Sequence, residues 1–299
     1  MENPKKLIVV AGPTAVGKTG VAIALARHLN THIVSADARQ FFRETIIGTA
    51  KPTADELQAV PHHFIDSHSI TQGYDAATYG DDALACIRQL FLTHSHVVLC
   101  GGSGLYIKAV LQGFDDIPDI DPTIRQSLQS AYETGGLEIL QDKMKALDPD
   151  HYVKIDSRNP QRLMRALEVV IGTGQSITSF HQRKNRTHDF DIVKIGLELP
   201  RQELYDRIDL RMDKMIDDGL FEEATSLYPF RHHQALQTVG YQEIFDFIEG
   251  KYDRQEAVRL LKQHSRQYAK RQLTWFKRDP EMIWLHPANI SDIIGVASR

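Results

Sequence analysis

Apolar residues along this chain gather into short β-branched runs separated by stretches with helical spacing. Leu7-Ile8-Val9-Val10-Ala11 opens the series, and strand signals recur at His32–Ser35, Phe64–Ile65, Val97–Cys100 and Ile192–Leu199. The first run is continuous rather than alternating, as expected for a strand covered on both faces. Between the runs apolar positions return every three or four residues, as from Val21 to about Leu29. Strands alternating with helices predict an α/β fold, a parallel sheet flanked by helices.

The pattern breaks at Gln112–Pro122, an acidic, turn-rich stretch that reads as an exit from the core. From Thr123 to about Gly172 the spacing is helical, interrupted at Gly135-Gly136, Asp148-Pro149 and Asn159-Pro160. The polar run Gln182–His188 leads back to the strand at Ile192. Three segments follow: a core, 1–114; a helical insertion, 115–190; and a return to the core with C-terminal helices, 191–299. The last long helix is predicted over Arg254–Lys277. It carries Arg259, Lys262, Arg266 and Lys270 near one face, with Leu261, Tyr268 and Trp275 on another as expected core residues.

Composition adds limits rather than identity. The 299 residues are 42% hydrophobic and 25% charged, ordinary values for a soluble globular protein. No apolar run approaches the roughly 18 residues that cross a bilayer, and no secretory segment is read, so a cytoplasmic protein is expected. Cys86 and Cys100 are too few for a disulfide framework or a four-cysteine zinc site and are expected to be buried small hydrophobes. Net charge is −4, yet bases concentrate locally. Lys154, Arg158, Arg162, Arg165, Arg183, Lys184 and Arg186 share their stretch with only Asp156 and Glu168, and the bases from Arg254 to Arg278 with only Glu256. Such local fields suit a defined polyanionic partner; two solvated helix faces are the plainer alternative.

The chemistry-bearing segment lies between the first strand and the first helix. Gly12-Pro13-Thr14-Ala15-Val16-Gly17-Lys18-Thr19 fits G-x-x-x-x-G-K-[ST], the phosphate-binding P-loop. Backbone amides in such a loop converge on an anion at a helix N-terminus, and Lys18 adds a point charge. The motif specifies a diphosphate or polyphosphate, not ATP. Asp37, in Ser35-Ala36-Asp37-Ala38-Arg39-Gln40, follows the second strand and so lies beside the phosphate loop. It could be a general base, a magnesium ligand or a helix cap. No strong strand ends in the acid that a nucleotide-hydrolysing P-loop protein uses for magnesium. Val97–Cys100 runs into Gly101-Gly102-Ser103-Gly104, and the only other strand-end acid is Asp66. His62-His63 and His232-His233 lack the spacing of a helical metal pair.

Taken together, the motifs resemble the bacterial tRNA dimethylallyltransferase family, the tRNA isopentenyltransferases. The matching blocks are Gly12–Thr19, Ser35-Ala36-Asp37, Gly48-Thr49-Ala50-Lys51-Pro52, Gly101–Tyr106, Asn159–Leu163 with Arg165–Glu168, Val239-Gly240-Tyr241, and Arg266–Trp275, in that order over most of the chain. The resemblance implies a P-loop core with a helical insertion that grips the anticodon stem-loop. It implies transfer of a dimethylallyl group from dimethylallyl diphosphate to N6 of the adenosine 3′-adjacent to the anticodon. By position, Gly12–Thr19 would take the diphosphate, with Thr19 on Mg²⁺, Asp37 would be the base, and Arg211 would join Lys18 on the leaving group. Contacts to tRNA would come from Asp37, Ala38, Arg39 and Gln40, from Ser103 and Arg125, and from Gln161, Arg162, Leu163, Met164 and Arg165. A monomer with no membrane partner is expected. Ser103 stands where the family pattern has Thr, and Ala38–Phe42 departs from the usual Ser- and Tyr-containing loop. Competing readings are a small-molecule or nucleoside kinase using Asp66, a prenyltransferase acting on free adenine nucleotides, and a noncatalytic RNA-binding module. None of them uses both the basic segments and Asp37.

Overall fold

The computed structural model describes residues 4–181 and 186–298. Arg183 and Lys184, part of one basic stretch, lie outside the described residues. The chain separates into two compact units, Met1–Gly113 with Arg186–Arg299, and Phe114–Asn185.

In the larger unit β1 (Lys6–Ala11) leads through the phosphate loop to α1 (Lys18–His28), then β2 (Ile33–Ser35), α2 (Ala54–Ala59), β3 (His62–His63), α3 (Ala76–Leu90), β4 (His96–Gly101) and α4 (Gly104–Leu111). The smaller unit holds α5 (Pro122–Leu147), α6 (Pro149–Tyr152) and α7 (Pro160–Thr173). The chain resumes with β5 (Asp191–Leu197), α8 (Arg201–Asp217), α9 (Leu220–Leu227), α10 (Gln242–Ile248), α11 (Arg254–Phe276), β6 (Ile283–Leu285) and α12 (Ile290–Ala297). The sheet order is β3-β2-β4-β1-β5-β6, and every pairing is parallel.

β1 is buried along its whole length, which explains its unbroken apolar run. Ile8 and Val10 pack with α1 and α12 on one face of the sheet; Leu7, Val9 and Ala11 pack with α3 and α4 on the other. The helices that follow β1 and β4 therefore leave to opposite faces. A crevice opens between the carboxyl ends of two such strands, the usual ligand position in a doubly wound sheet. Gly101 sits at that crevice with no room for a side chain, since a Cβ there would lie 2.0 Å from the Ala36 carbonyl oxygen.

Several expectations are corrected. The third strand is His62–His63, ending before Phe64 and Asp66, both of which take left-handed backbone. Asp66 is ion-paired with Lys51. β6 was not anticipated; three residues beyond a long helix carry too little pattern to register. Trp275 is exposed rather than core, and both cysteines are half-buried. The basic face of α11 is largely neutralised by α8: Lys262 pairs with Asp213, and Arg266 donates to both oxygens of Asp209, at 2.5 and 2.7 Å.

In the smaller unit α5 is kinked at Gly136 (φ 68°), where helical geometry lapses. Its core joins Leu128, Leu140 and Met144 to Leu163, Met164, Ala166 and Leu167. Asn159 caps α7 by accepting the Arg162 amide, and Pro160 occupies its first turn.

The tight approach at Gly101 generates a test. Gly101→Ala forces a methyl into backbone, and overpacking of this kind costs about 1–3 kcal/mol or more. Near 2–4 °C per kcal/mol, thermal unfolding should shift down by about 2–12 °C. An unchanged transition would contradict the close approach of β2 and β4 ends.

Candidate active site

The carboxyl ends of β1, β2 and β4 surround a cleft of about 350 Å³ in the larger unit, at the small end of the range for ligand sites. One end is phosphate loop and α1: Thr14, Gly17, Lys18 and Thr19 line it. Gly17 takes φ 102°, a left-handed turn that directs the chain into α1 with no acid in the first helical turn. The positive end of α1 thus faces the cleft. Val16, by contrast, turns inward and is wholly buried in the core.

Lys18 folds over the loop, its Nζ donating to the Pro13 carbonyl at 2.7 Å. Burial pulls its ammonium down to about 8, partly offset by Asp37, while the charge of Arg211 lowers it further. Arg211 arrives from α8. Leu204, Ile208, Met212 and Met215 bury one stripe of that helix, and Arg211 flanks the stripe, hydrogen-bonded to the Thr14 hydroxyl. Burial lowers the guanidinium pKa and Asp37 raises it. Two cations and one carboxylate therefore share one poorly solvated space.

Asp37 follows β2 on a turn rather than a helix. Its Oδ1 accepts the amides of Arg39 and Gln40, at 2.9 and 3.3 Å, which leaves Oδ2 with capacity for a substrate proton. The turn is braced from both sides. Ser103 Oγ accepts the Ala38 amide at 2.9 Å instead of capping α4. Gln40 Nε2 donates to the carbonyls of Thr49 and Ala50, at 3.2 and 3.0 Å, bringing the Gly48–Pro52 segment to the cleft wall.

Three further residues matter here that sequence reasoning gave no role. Gln272 of α11 accepts the Thr14 amide and donates to the Gly102 carbonyl, both at 2.8 Å, so one buried amide joins the phosphate loop to the Gly101–Gly104 loop. Glu223 of α9 accepts three consecutive amides, Ile46 at 3.0 Å, Ile47 at 2.7 Å and Gly48 at 2.9 Å, together with the Tyr241 hydroxyl at 2.6 Å. Cys100 lies on the cleft wall, where burial pushes its thiol up to about 12. Gln and Glu on a helix carry no spacing signal, and only their partners, 170 and more residues away for these contacts, reveal the function.

In the smaller unit Arg125 and Arg165 both pair with Glu168, at 2.9 and 3.4 Å, and Arg125 also donates to Gln161 at 2.9 Å. Arg162 lies 4.0 Å from Asp156. Gln161, Arg162 and Arg165 are exposed, whereas Leu163 and Met164 are fully buried. Those two side chains face the core of the unit because they fall on the apolar stripe of α7.

Comparison with known proteins places this architecture. The family model described as IPP transferase matches residues 40–279. The tRNA dimethylallyltransferase of Cytophaga hutchinsonii is 49% identical, over 97% of this chain and 95% of that protein. Among solved structures, the full-length tRNA isopentenylpyrophosphate transferase of Bacillus halodurans is 36% identical with a TM-score of 0.72, covering 98% of this chain and 97% of that one. A eukaryotic dimethylallyltransferase, solved acting on tRNA, shares the fold with a TM-score of 0.78 at 23% identity, over 98% of this chain and 77% of its own. With the phosphate loop, Asp37 and Arg211 gathered at one cleft and a likeness sustained along nearly its whole length, the chain belongs to the tRNA dimethylallyltransferase family.

Proposed function

We propose that this cleft transfers a dimethylallyl group from dimethylallyl diphosphate to N6 of the adenosine 3′-adjacent to the anticodon in tRNA, releasing diphosphate. The observation that carries the reading is the sharing of one cleft by a phosphate loop, two cations and a braced carboxylate. A kinase reading loses its candidate acid, since Asp66 is held by Lys51.

The residues divide the work by charge. The allylic carbon reacts through a cation-like state, so negative charge grows on the departing diphosphate. Loop amides of Ala15–Thr19, with Lys18 and Arg211, would meet that charge, and such preorganised donors stabilise a transition state without reorganising. Adenine N6 is a weak nucleophile because its lone pair is delocalised into the ring. Asp37 would take the N6 proton as the new bond forms, help worth about 10²–10⁴-fold. A base inside a stem-loop must leave its stack to reach such a cleft.

Magnesium fits this donor set. The ion takes few protein ligands when it rides on phosphates, and a threonine hydroxyl is a suitable oxygen donor. Thr19 lines the cleft at the start of α1 and would hold the ion, which when bound adds positive charge at the diphosphate. In the smaller unit Arg125, Gln161, Arg162 and Arg165 are proposed to contact the tRNA. No helix among the described residues is long and apolar enough to cross a membrane. The reading includes a cytoplasmic monomer, and gel filtration would reveal a stable dimer if one forms.

Two tests follow from the site. Asp37→Asn keeps both amide contacts through its remaining oxygen. It should lower kcat by about 10²–10⁴ while tRNA affinity stays within a few-fold. Near-normal turnover would reduce Asp37 to a turn residue.

Lys18 supplies a pH signature. With its pKa pulled to about 8, the charged form that holds diphosphate prevails below that pH and is lost above it. Binding of dimethylallyl diphosphate without tRNA should weaken from pH 7 to pH 9.5, approaching tenfold per unit. The ligand's own charge changes little above pH 7, a phosphate's second pKa being about 6. Lys18→Arg, which stays charged, should flatten the profile. A pH-independent wild-type affinity would contradict the role.

A further inference from the structure

The Gly48–Pro52 block stands out in the sequence, yet it carries no group suited to proton transfer or to holding a diphosphate. Three of its residues, Thr49, Ala50 and Pro52, nonetheless line the cleft. Ala50 does so in left-handed backbone (φ 48°), a conformation that a residue other than glycine keeps only where its surroundings fix it.

The fixing comes from behind the cleft wall. Half-buried Glu223 takes the amides of Ile46, Ile47 and Gly48 and the hydroxyl of Tyr241, two donors on each carboxylate oxygen. Bonds to an ionised acceptor are shorter and stronger than neutral ones. Burial and the Glu223 charge hold the Tyr241 hydroxyl protonated, so it stays a donor. The anchor itself is firmly seated, because Leu220, Phe221 and Ala224 of α9 share a core with Phe41, Phe42 and Tyr241. Gly48 admits no looser arrangement: a Cβ there would lie 2.6 Å from the Tyr241 ring. Lys51 secures the far end, donating to the carbonyls of Phe42 and Arg43 at 2.6 and 3.3 Å.

The same wall is tied to the candidate base. Gln40 donates through its side chain to the Thr49 and Ala50 carbonyls and through its backbone amide to Asp37 Oδ1. A path of hydrogen bonds and short backbone links therefore runs from Glu223 through the wall and Gln40 to Asp37. None of its bonds involves the phosphate loop.

We infer that Glu223 is a positioning residue for the proton-transfer half of the reaction. It holds the Thr49–Pro52 wall, and through Gln40 the Asp37 turn, in the register that the adenosine N6 requires. The inference rests on the proposed tRNA reaction.

In Glu223→Gln an amide nitrogen replaces one oxygen, so two of the four donors meet a donor. Misplacing a reacting group by about 1 Å costs on the order of 10²-fold, so kcat at saturating tRNA should fall about 10- to 100-fold. Binding of dimethylallyl diphosphate without tRNA should keep its wild-type Kd, and its stoichiometry counts the folded sites to which kcat is referred. Tyr241→Phe removes a single donor and should lower kcat about two- to tenfold, with the same unchanged Kd. Gln40→Leu cuts the path between wall and base. Losses along one path do not multiply, so Glu223→Gln with Gln40→Leu should be no slower than the slower single variant. Wild-type kcat per site in Glu223→Gln, or losses that multiply in the double variant, overturns the inference. So does a Glu223→Gln protein that loses donor affinity and kcat together, which would make Glu223 a general brace of the fold. If Glu223→Gln does not fold, Tyr241→Phe decides, and a wild-type kcat there overturns the inference equally. A wild-type chain that does not prenylate tRNA defeats the reaction reading, and the inference with it; with an active wild type only the inference is at stake.

Discussion

One buried amide sets the geometry on which this site depends. Gln272 accepts from Thr14 in the phosphate loop and donates to Gly102 in the loop after β4. The next residue, Ser103, holds Ala38, and so the Asp37 turn, by a 2.9 Å hydrogen bond. Leaving-group end and base end are thereby joined through a short run of satisfied hydrogen bonds. Removing a partner from such a buried bond leaves an unsatisfied group at a cost of about 1–3 kcal/mol. The cost falls on the relative position of two catalytic loops.

That geometry concentrates charge. Lys18 belongs to the phosphate loop and Arg211 reaches it from α8, and burial acts against the ionised form of each. A diphosphate reverses the penalty by supplying the missing counter-charge in a region where electrostatic interactions are poorly screened. Asp37 moderates both cations while remaining tied by two backbone amides. The cleft is therefore organised for an anion that leaves, with a carboxylate held apart for a proton.

Residues with local signals were legible from sequence. The run Leu7–Ala11, the phosphate-loop spacing, the breaks at Gly135-Gly136 and Asn159-Pro160 and the final long helix all depend on neighbours within a few positions. Arg211 at the phosphate loop came from the family resemblance, and the structure places it on Thr14. What escaped was set by distant partners. Asp209 and Asp213 neutralise Arg266 and Lys262, 57 and 49 residues further along, so the apparent positive face of α11 survives only at its end. Leu163 and Met164 fell inside a motif read as RNA-contacting, but helical periodicity turns them into the core. Glu223 gathers three amides from a segment about 175 residues earlier, and no pattern in the chain announces it.

The central claim is that a P-loop here holds a leaving diphosphate rather than a nucleotide. The most direct measurement offers dimethylallyl diphosphate, labelled in its allyl group, to the protein with tRNA and magnesium, then digests the RNA to nucleosides. The account predicts label in N6-dimethylallyladenosine, one diphosphate released per label incorporated, and no consumption of added ATP. Label absent from the tRNA, or ATP hydrolysed without it, would contradict the account.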